Sequence, residues 1–179
     1  GLGALPSRFR RERLLIVGYG DVGQRMARNL LTGPGAQRLR VLALTSQAER
    51  VGSLRAQGVT PLVGNLDHAA TLRRLSGLAT RVVHLAPPPG EGGGGAAWWR
   101  DPRTVALARA LRLRSLPVSL VYASTSGVYG DCAGALVAET RTVTPGTPRA
   151  QRRVNAERAV RHLGRAGVRT SILRIPGIY

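Results

Sequence analysis

"LLIVGYGDVGQRMARNL", residues 14 to 30, decides the fold. Leu14 to Val17 form an apolar run of strand length. Glycines follow at 18, 20 and 23, and then comes a stretch with helical periodicity. Strand, G-x-G-x-x-G and helix in that order make a dinucleotide-binding turn. Gly18 permits the tight turn, Gly20 lets backbone approach a pyrophosphate, and Gly23 allows the helix to pack close to the strand. An anion would sit on the helix N-terminus, where unpaired N–H groups and the helix dipole favour negative charge. Tyr19, Asp21 and Val22 complete the turn and join the three glycines as candidate cofactor contacts. A glycine triplet alone is only a tight turn, so the residues around it carry the weight.

Those residues alternate between two periods. Strand-like runs fall at Leu14 to Val17, Val41 to Leu44, Val59 to Val63, Arg81 to Leu85, Val118 to Ala123 and Thr170 to Ile175. Helical patterns lie between them, at Val22 to Leu31, Ala48 to Gln57, Ala69 to Leu75, Trp98 to Leu113 and Arg149 to Arg165. Cap-type residues such as Asp67 precede several of them. Strict alternation implies right-handed crossovers and a doubly wound α/β architecture, a parallel sheet with helices on both faces. The loop "APPPGEGGGGAA", Ala86 to Ala97, follows the fourth strand at the edge where such sheets bind ligands, and its prolines and glycines suit neither strand nor helix.

Composition bounds the rest. A length of 179 residues with 43% hydrophobic content fits one domain. No apolar run nears the ~20 residues of a membrane span, so no membrane partner is expected. Cys132 is a single cysteine, and His68, His84 and His162 are scattered, so neither a disulfide nor a metal site is indicated and a reducing cytoplasm is the expected location. Residues 1–12 read as a disordered basic leader without a secretory signal, ahead of a domain at 13–179. The net charge of +18 invites nucleic acid, but its cations are all arginine, spread along the chain, with few aromatics to stack bases. Nucleic-acid binding is therefore the least favoured function.

The end of the second strand bears on the choice of dinucleotide. An acid about 20 residues past the glycines would bond the ribose 2′-OH of NAD. The stretch is "LALTSQAER" instead, with Thr45 and Ser46 in that place and Arg50 nearby. Hydroxyls and a guanidinium can hold a 2′-phosphate, so NADP is preferred with NAD as the alternative. The competing reading has Thr45 and Ser46 capping the next helix and Arg50 in solvent.

Taken together, "IVGYGDVG", "GNLDH" at 64 to 68, "VVHLA" at 82 to 86, "VYASTSGVYGD" at 121 to 131, "ERAV" at 157 to 160 and "LRIPGIY" at 173 to 179 resemble a known family. The family is the extended or atypical short-chain dehydrogenases/reductases of the NAD-dependent epimerase/dehydratase group. The resemblance implies a Rossmann fold with Asn65 and Leu66 near adenine, and Leu85, Ala86 and Pro87 bordering the cofactor. It also implies a catalytic hydroxyl at Thr125 with Ser124 beside it, acting on a small-molecule substrate, and it leaves a homodimer open.

Two departures from that family bear on chemistry. Counting back from Glu157, the family's Tyr-x-x-x-Lys pair falls on Arg149 and Arg153. A guanidinium has no acceptor and a pKa above ~12, so Arg149 cannot be a general base near neutrality. It could hold an anionic group, while Arg153 could still donate to ribose hydroxyls, and Tyr129 or water would have to supply the acid. The family also continues beyond "RIPGIY" into a substrate lobe, so the domain is expected to be truncated before it.

At about 100° per residue, Arg149, Arg153, Ala156, Val160 and Leu163 share one stripe, and Arg158, Arg161 and Arg165 lie opposite as a solvated face. The competing placement has Arg149 before the helix begins. Two functions lead: an NADP-linked oxidoreductase with atypical acid/base residues, and a dinucleotide-binding sensor or interaction module without turnover.

Overall fold

The computed structural model describes residues 11–89, 100–125 and 148–175. Six strands, β1 (Glu12–Val17), β2 (Leu39–Thr45), β3 (Thr60–Val63), β4 (Arg81–His84), β5 (Ser119–Thr125) and β6 (Arg169–Ile175), form one parallel sheet in the order β3-β2-β1-β4-β5-β6. The helices are α1 (Asp21–Thr32), α2 (Val51–Ala56), α3 (Pro102–Leu111) and α4 (Pro148–Arg165). The chain winds outward from β1 through β2 and β3, then returns to lay β4 against the other side of β1. That reversal opens a crevice at the carboxyl ends of β1 and β4.

Both sheet faces are buried, which is why the strands read as nearly continuous apolar runs. Leu15, Val17, Leu42, Val82, Leu120 and Tyr122 pack toward Leu107 and Leu111 of α3 and toward Ala156, Val160 and Leu163 of α4. Leu14, Ile16, Val41 and Ala43 pack on the opposite face with Ala27 of α1 and Leu54 of α2. The alternation at 14, 15, 16 and 17 is the two-residue period of a strand dividing its side chains between two layers.

Three helix expectations are corrected. The pattern from Ala48 to Gln57 splits into a 3-10 turn at Ala48–Arg50 followed by the short α2. The segment Ala69–Leu75 is a 3-10 helix. There Thr71 donates its hydroxyl proton to His68 O (2.7 Å) and accepts from Asn65 N–H (2.8 Å), a local bonding pattern that competes with the α-helical ladder. Helix α3 starts at Pro102: the Asp101 carboxylate accepts from Thr104 N–H (3.1 Å), and proline occupies the first turn, where its missing N–H costs nothing. Trp98, the expected start, lies outside the described residues, as does most of the leader.

Candidate functional site

The turn after β1 is shaped by its glycines in three different ways. Gly18 has φ +95°, and a Cβ there would lie 2.5 Å from Ala86 N, so the end of β4 packs directly on the turn. A Cβ on Gly23 would lie 2.9 Å from Gly18 O and 3.2 Å from the Ile16 side chain, which is the close approach of helix to strand. A Cβ on Gly20 would meet nothing within 4 Å among the described residues beyond its own neighbours in the chain. Gly20 is also the N-cap of α1, so its open side faces the start of a 12-residue helix.

This turn forms one wall of a cavity of about 350 Å³. Of the residues singled out from sequence, Gly18, Tyr19, Gly20, Thr45, Ser46, Arg50, Asn65, Leu66 and Ala86 line it. Asp21, Val22, Gly23, Leu85, Pro87 and Arg153 do not. Tyr19 contributes backbone, because its ring is buried and its hydroxyl donates to Gln57 Oε1 (2.8 Å). Leu85 ties β4 to β1 through N–H to Val17 O (2.7 Å).

The reading in which Thr45 and Ser46 cap the next helix and Arg50 lies in solvent does not hold. Thr45 is buried, and its hydroxyl accepts from Gln47 N–H (3.2 Å), closing a turn without capping a helix. Ser46 is exposed. Arg50 is not free in solvent: Nη2 donates to Tyr19 O (3.0 Å), and the guanidinium lies 5.7 Å from the Tyr19 ring centre. That grip holds a cation at the rim of the cavity.

Asp67 and Arg103 line the cavity too and were not predicted as site residues. Asp67 does not cap the following segment. Its oxygens accept from Arg103 Nε (2.7 Å) and Nη2 (3.0 Å), a bidentate pair that holds its carboxyl below the usual carboxylate range. Arg103 also reaches Pro87 O (3.4 Å), so one side chain clasps the loops after β3 and β4.

Helix α4 contains Arg149, so the placement of that residue before the helix is corrected; its side chain, like those of Ser124 and Thr125 at the carboxyl end of β5, is outside what the structure describes. Tyr129 lies outside the described residues. Arg153, Ala156, Val160 and Leu163 are buried, and Arg158, Arg161 and Arg165 are exposed, as the helical spacing expects. Arg153 turns inward: Nη1 donates to Tyr122 Oη (2.8 Å) and Ala123 O (2.9 Å). Burial pushes the Tyr122 hydroxyl further above its ordinary range, so it offers no proton near neutrality.

A buried polar chain continues from Tyr122. The His84 ring lies 5.0 Å from the Tyr122 ring, and His84 Nε2 is 2.8 Å from Thr104 Oγ1. Thr104 donates that hydroxyl's proton to Asp101 Oδ2 (2.7 Å), so with Asp101 ionised the imidazole carries its proton on Nε2. Burial, with help from the Arg153 charge, lowers the His84 pKa to about 3, and burial raises that of Asp101. Asn155 Oδ1 accepts from Asp101 N–H (2.7 Å) and fixes α4 against the start of α3. The Asp101-Pro102 pair was the sequence signal for this cap; nothing local pointed to His84.

Among the described residues there is no group of three or more His, Cys, Asp or Glu that could hold a metal, and no helix is long and apolar enough to cross a membrane.

Residues 14–86 match the TrkA-N domain family. No curated protein matches the chain. Among solved structures, the dTDP-glucose 4,6-dehydratase DesIV from Streptomyces venezuelae, with NAD and TYD bound, shares 23% identity at a TM-score of 0.73, over 90% of this chain and 55% of that one. The UDP-glucuronic acid 4-epimerase from Bacillus cereus, in complex with NAD, shares 22% at 0.72, over 93% and 57%. A functionally unknown conserved protein from Silicibacter pomeroyi DSS shares 26% at 0.61, over 94% and 53%. The chain thus spans about half the length of these proteins and has the Rossmann-type α/β fold that they carry.

Proposed function

We propose that the chain binds a nicotinamide adenine dinucleotide in the crevice between β1 and β4, NADP in preference to NAD, and forms the cofactor half of an oxidoreductase with atypical acid/base residues. The observation that carries this reading is the open side of Gly20 beside the α1 N-terminus, inside a cavity lined by Thr45, Ser46 and Arg50. Backbone N–H groups of the first turn would meet the pyrophosphate. No carboxylate stands at the end of β2 to repel a 2′-phosphate, and among the described residues the one carboxylate lining the cavity, Asp67, is engaged with Arg103. Bound there, the dinucleotide would supply hydride transfer, and this chain's part is to hold and orient it.

A second reading, dinucleotide binding without turnover, is favoured by Arg153. Its Nη1 is engaged with Tyr122 and Ala123, and no general base stands at the lysine position. Thr125 would serve the first reading only.

Titration with NADPH and NADH, followed by nucleotide fluorescence, tests binding; failure of both to bind below millimolar concentration rejects the site. Arg50→Ala should weaken NADPH more than NADH, and equal loss rejects the 2′-phosphate role. Turnover with candidate carbonyl substrates, compared between the natural chain and Thr125→Ala, separates the two readings.

A further inference from the structure

Three hydrogen bonds tie together the loop ends around the crevice, and each joins strands that are neighbours in the sheet. Arg50 Nη2 to Tyr19 O links the segments after β2 and β1, Gly64 N–H to Thr45 O (2.9 Å) links the ends of β3 and β2, and Leu85 N–H to Val17 O links β4 to β1. A fourth tether differs. Asp67 follows β3 and Pro87 follows β4, and both β2 and β1 lie between those strands. At about 4.8 Å per spacing, β3 and β4 are roughly 14 Å apart. One side chain, Arg103, nevertheless reaches both loops: Nε and Nη2 donate to Asp67, and Nη1 donates to Pro87 O (3.4 Å). The four tethers make a closed ring around the cavity, and Asp67 and Arg103 line it.

We propose that Asp67 and Arg103 are positioning residues for the dinucleotide, setting the width of its cavity through the loops after β3 and β4. The inference rests on the reading that a dinucleotide occupies this crevice. Charge does not account for the pair. A carboxylate in the wall of a cavity for an anionic ligand works against that ligand, and a guanidinium already held by two carboxylate oxygens has little left for a phosphate. Stability does not account for it either, because the side chains of Arg103 and Asp67 are 27% and 44% exposed, and ion pairs this accessible contribute little to a fold.

Geometry does account for it. The segment after β4 is held along its whole described length: Ala86 packs on Gly18, Arg103 holds Pro87 O, Pro88 is buried, and Arg152 of α4 donates through Nη1 to Pro89 O (3.1 Å). Proline has a nearly fixed φ, so three in succession give little when both ends are pinned. Helices α3 and α4 thereby hold the wall that faces the glycine turn. A wall set before binding spares the ligand the cost of ordering it.

The test is NADPH binding by the full chain, read by nucleotide fluorescence, with a melting curve for every variant. Asp67→Asn carries the decisive sign. It removes a negative charge beside an anionic ligand, so control by charge predicts tighter binding, whereas loss of the clasp predicts binding weaker by about fivefold or more. Arg103→Gln should weaken binding to a similar degree, and the double variant no further than the worse single one, since the two residues act as a unit. Arg103→Lys keeps the charge without the parallel pair of bonds and should not restore affinity. All four variants should melt within about 4 °C of the natural chain. Tighter or unchanged binding by Asp67→Asn overturns the positioning role, as do full affinity in Arg103→Lys, losses that add in the double variant, or melting temperatures that fall in step with affinity. A natural chain that binds neither NADPH nor NADH rejects the crevice as the site, and the positioning role falls with it.

Discussion

Two glycines two residues apart should respond oppositely to the same methyl group. In Gly18→Ala the new carbon falls 2.5 Å from Ala86 N and 2.8 Å from the Leu85 carbonyl carbon, with φ at +95°. Left-handed backbone costs an L-residue about 1–2 kcal/mol, and overlap with a backbone that cannot swing aside adds about 1–3 kcal/mol. The sum is roughly 2–5 kcal/mol, which for a domain of this size lowers the melting temperature by roughly 5–20 °C. Gly20 has φ −89°, which alanine adopts freely, and an added Cβ would meet nothing within 4 Å among the described residues. Gly20→Ala should therefore keep stability within about 1 kcal/mol of the natural chain. Its methyl would project into the space assigned to the pyrophosphate, so NADPH affinity should fall at least about tenfold. Urea denaturation and nucleotide titration on both variants read the two effects separately. A Gly18→Ala protein as stable as the parent would refute the packing argument, and a Gly20→Ala protein with undiminished NADPH affinity would refute the cradle.

Other consequences follow from the buried chain of polar groups. The His84 pKa is depressed from 6.5 to about 3, so the unfolded state takes up a proton that the native state refuses. The stability this represents is present above pH 6.5 and is lost as pH falls toward 3, roughly 3 kcal/mol between about pH 7 and pH 4. Asp101, raised by burial, acts in the opposite sense because its cost is relieved on protonation. Urea midpoints across that range should show His84→Gln losing most of the acid sensitivity, and an unchanged slope would contradict the burial of a neutral imidazole. Thr104→Val preserves shape but leaves His84 Nε2 and Asp101 Oδ2 without their shared partner, and should cost about 2–4 kcal/mol. A loss under about 0.5 kcal/mol would show that the hydroxyl bridge contributes nothing net.

The βα order, the turn at Gly18 and the close approach of helix to strand at Gly23 were legible because each depends on residues adjacent in the chain, whereas the packing of Ala86 on Gly18 joins residues far apart in it. The glycine spacing and the alternation of Leu14, Leu15, Ile16 and Val17 are enough to place a strand, a turn and a helix. Sequence reasoning went astray where local bonding outcompeted the pattern. Thr71 turned an expected α-helix into a 3-10 segment, and Asp101 with Pro102 set the described start of α3. Arg50 could be flagged as a cation near the site, but its fixed position could not, because its partner is a backbone carbonyl 31 residues away.

By itself, then, the sequence determined the layered architecture and the position of the glycine turn between β1 and α1, since periodicity and glycine chemistry act over a few residues. Only the tertiary structure decided the pairing of Asp67 with Arg103 across 36 residues, the joining of His84 to Asp101 through Thr104, and the inward turn of Arg153 onto Tyr122. Helical spacing puts Arg153 on the inner stripe of α4 but does not say which group it meets there. The choice depends on which strand lies beneath the helix, and here the order β1-β4-β5 brought Tyr122 there.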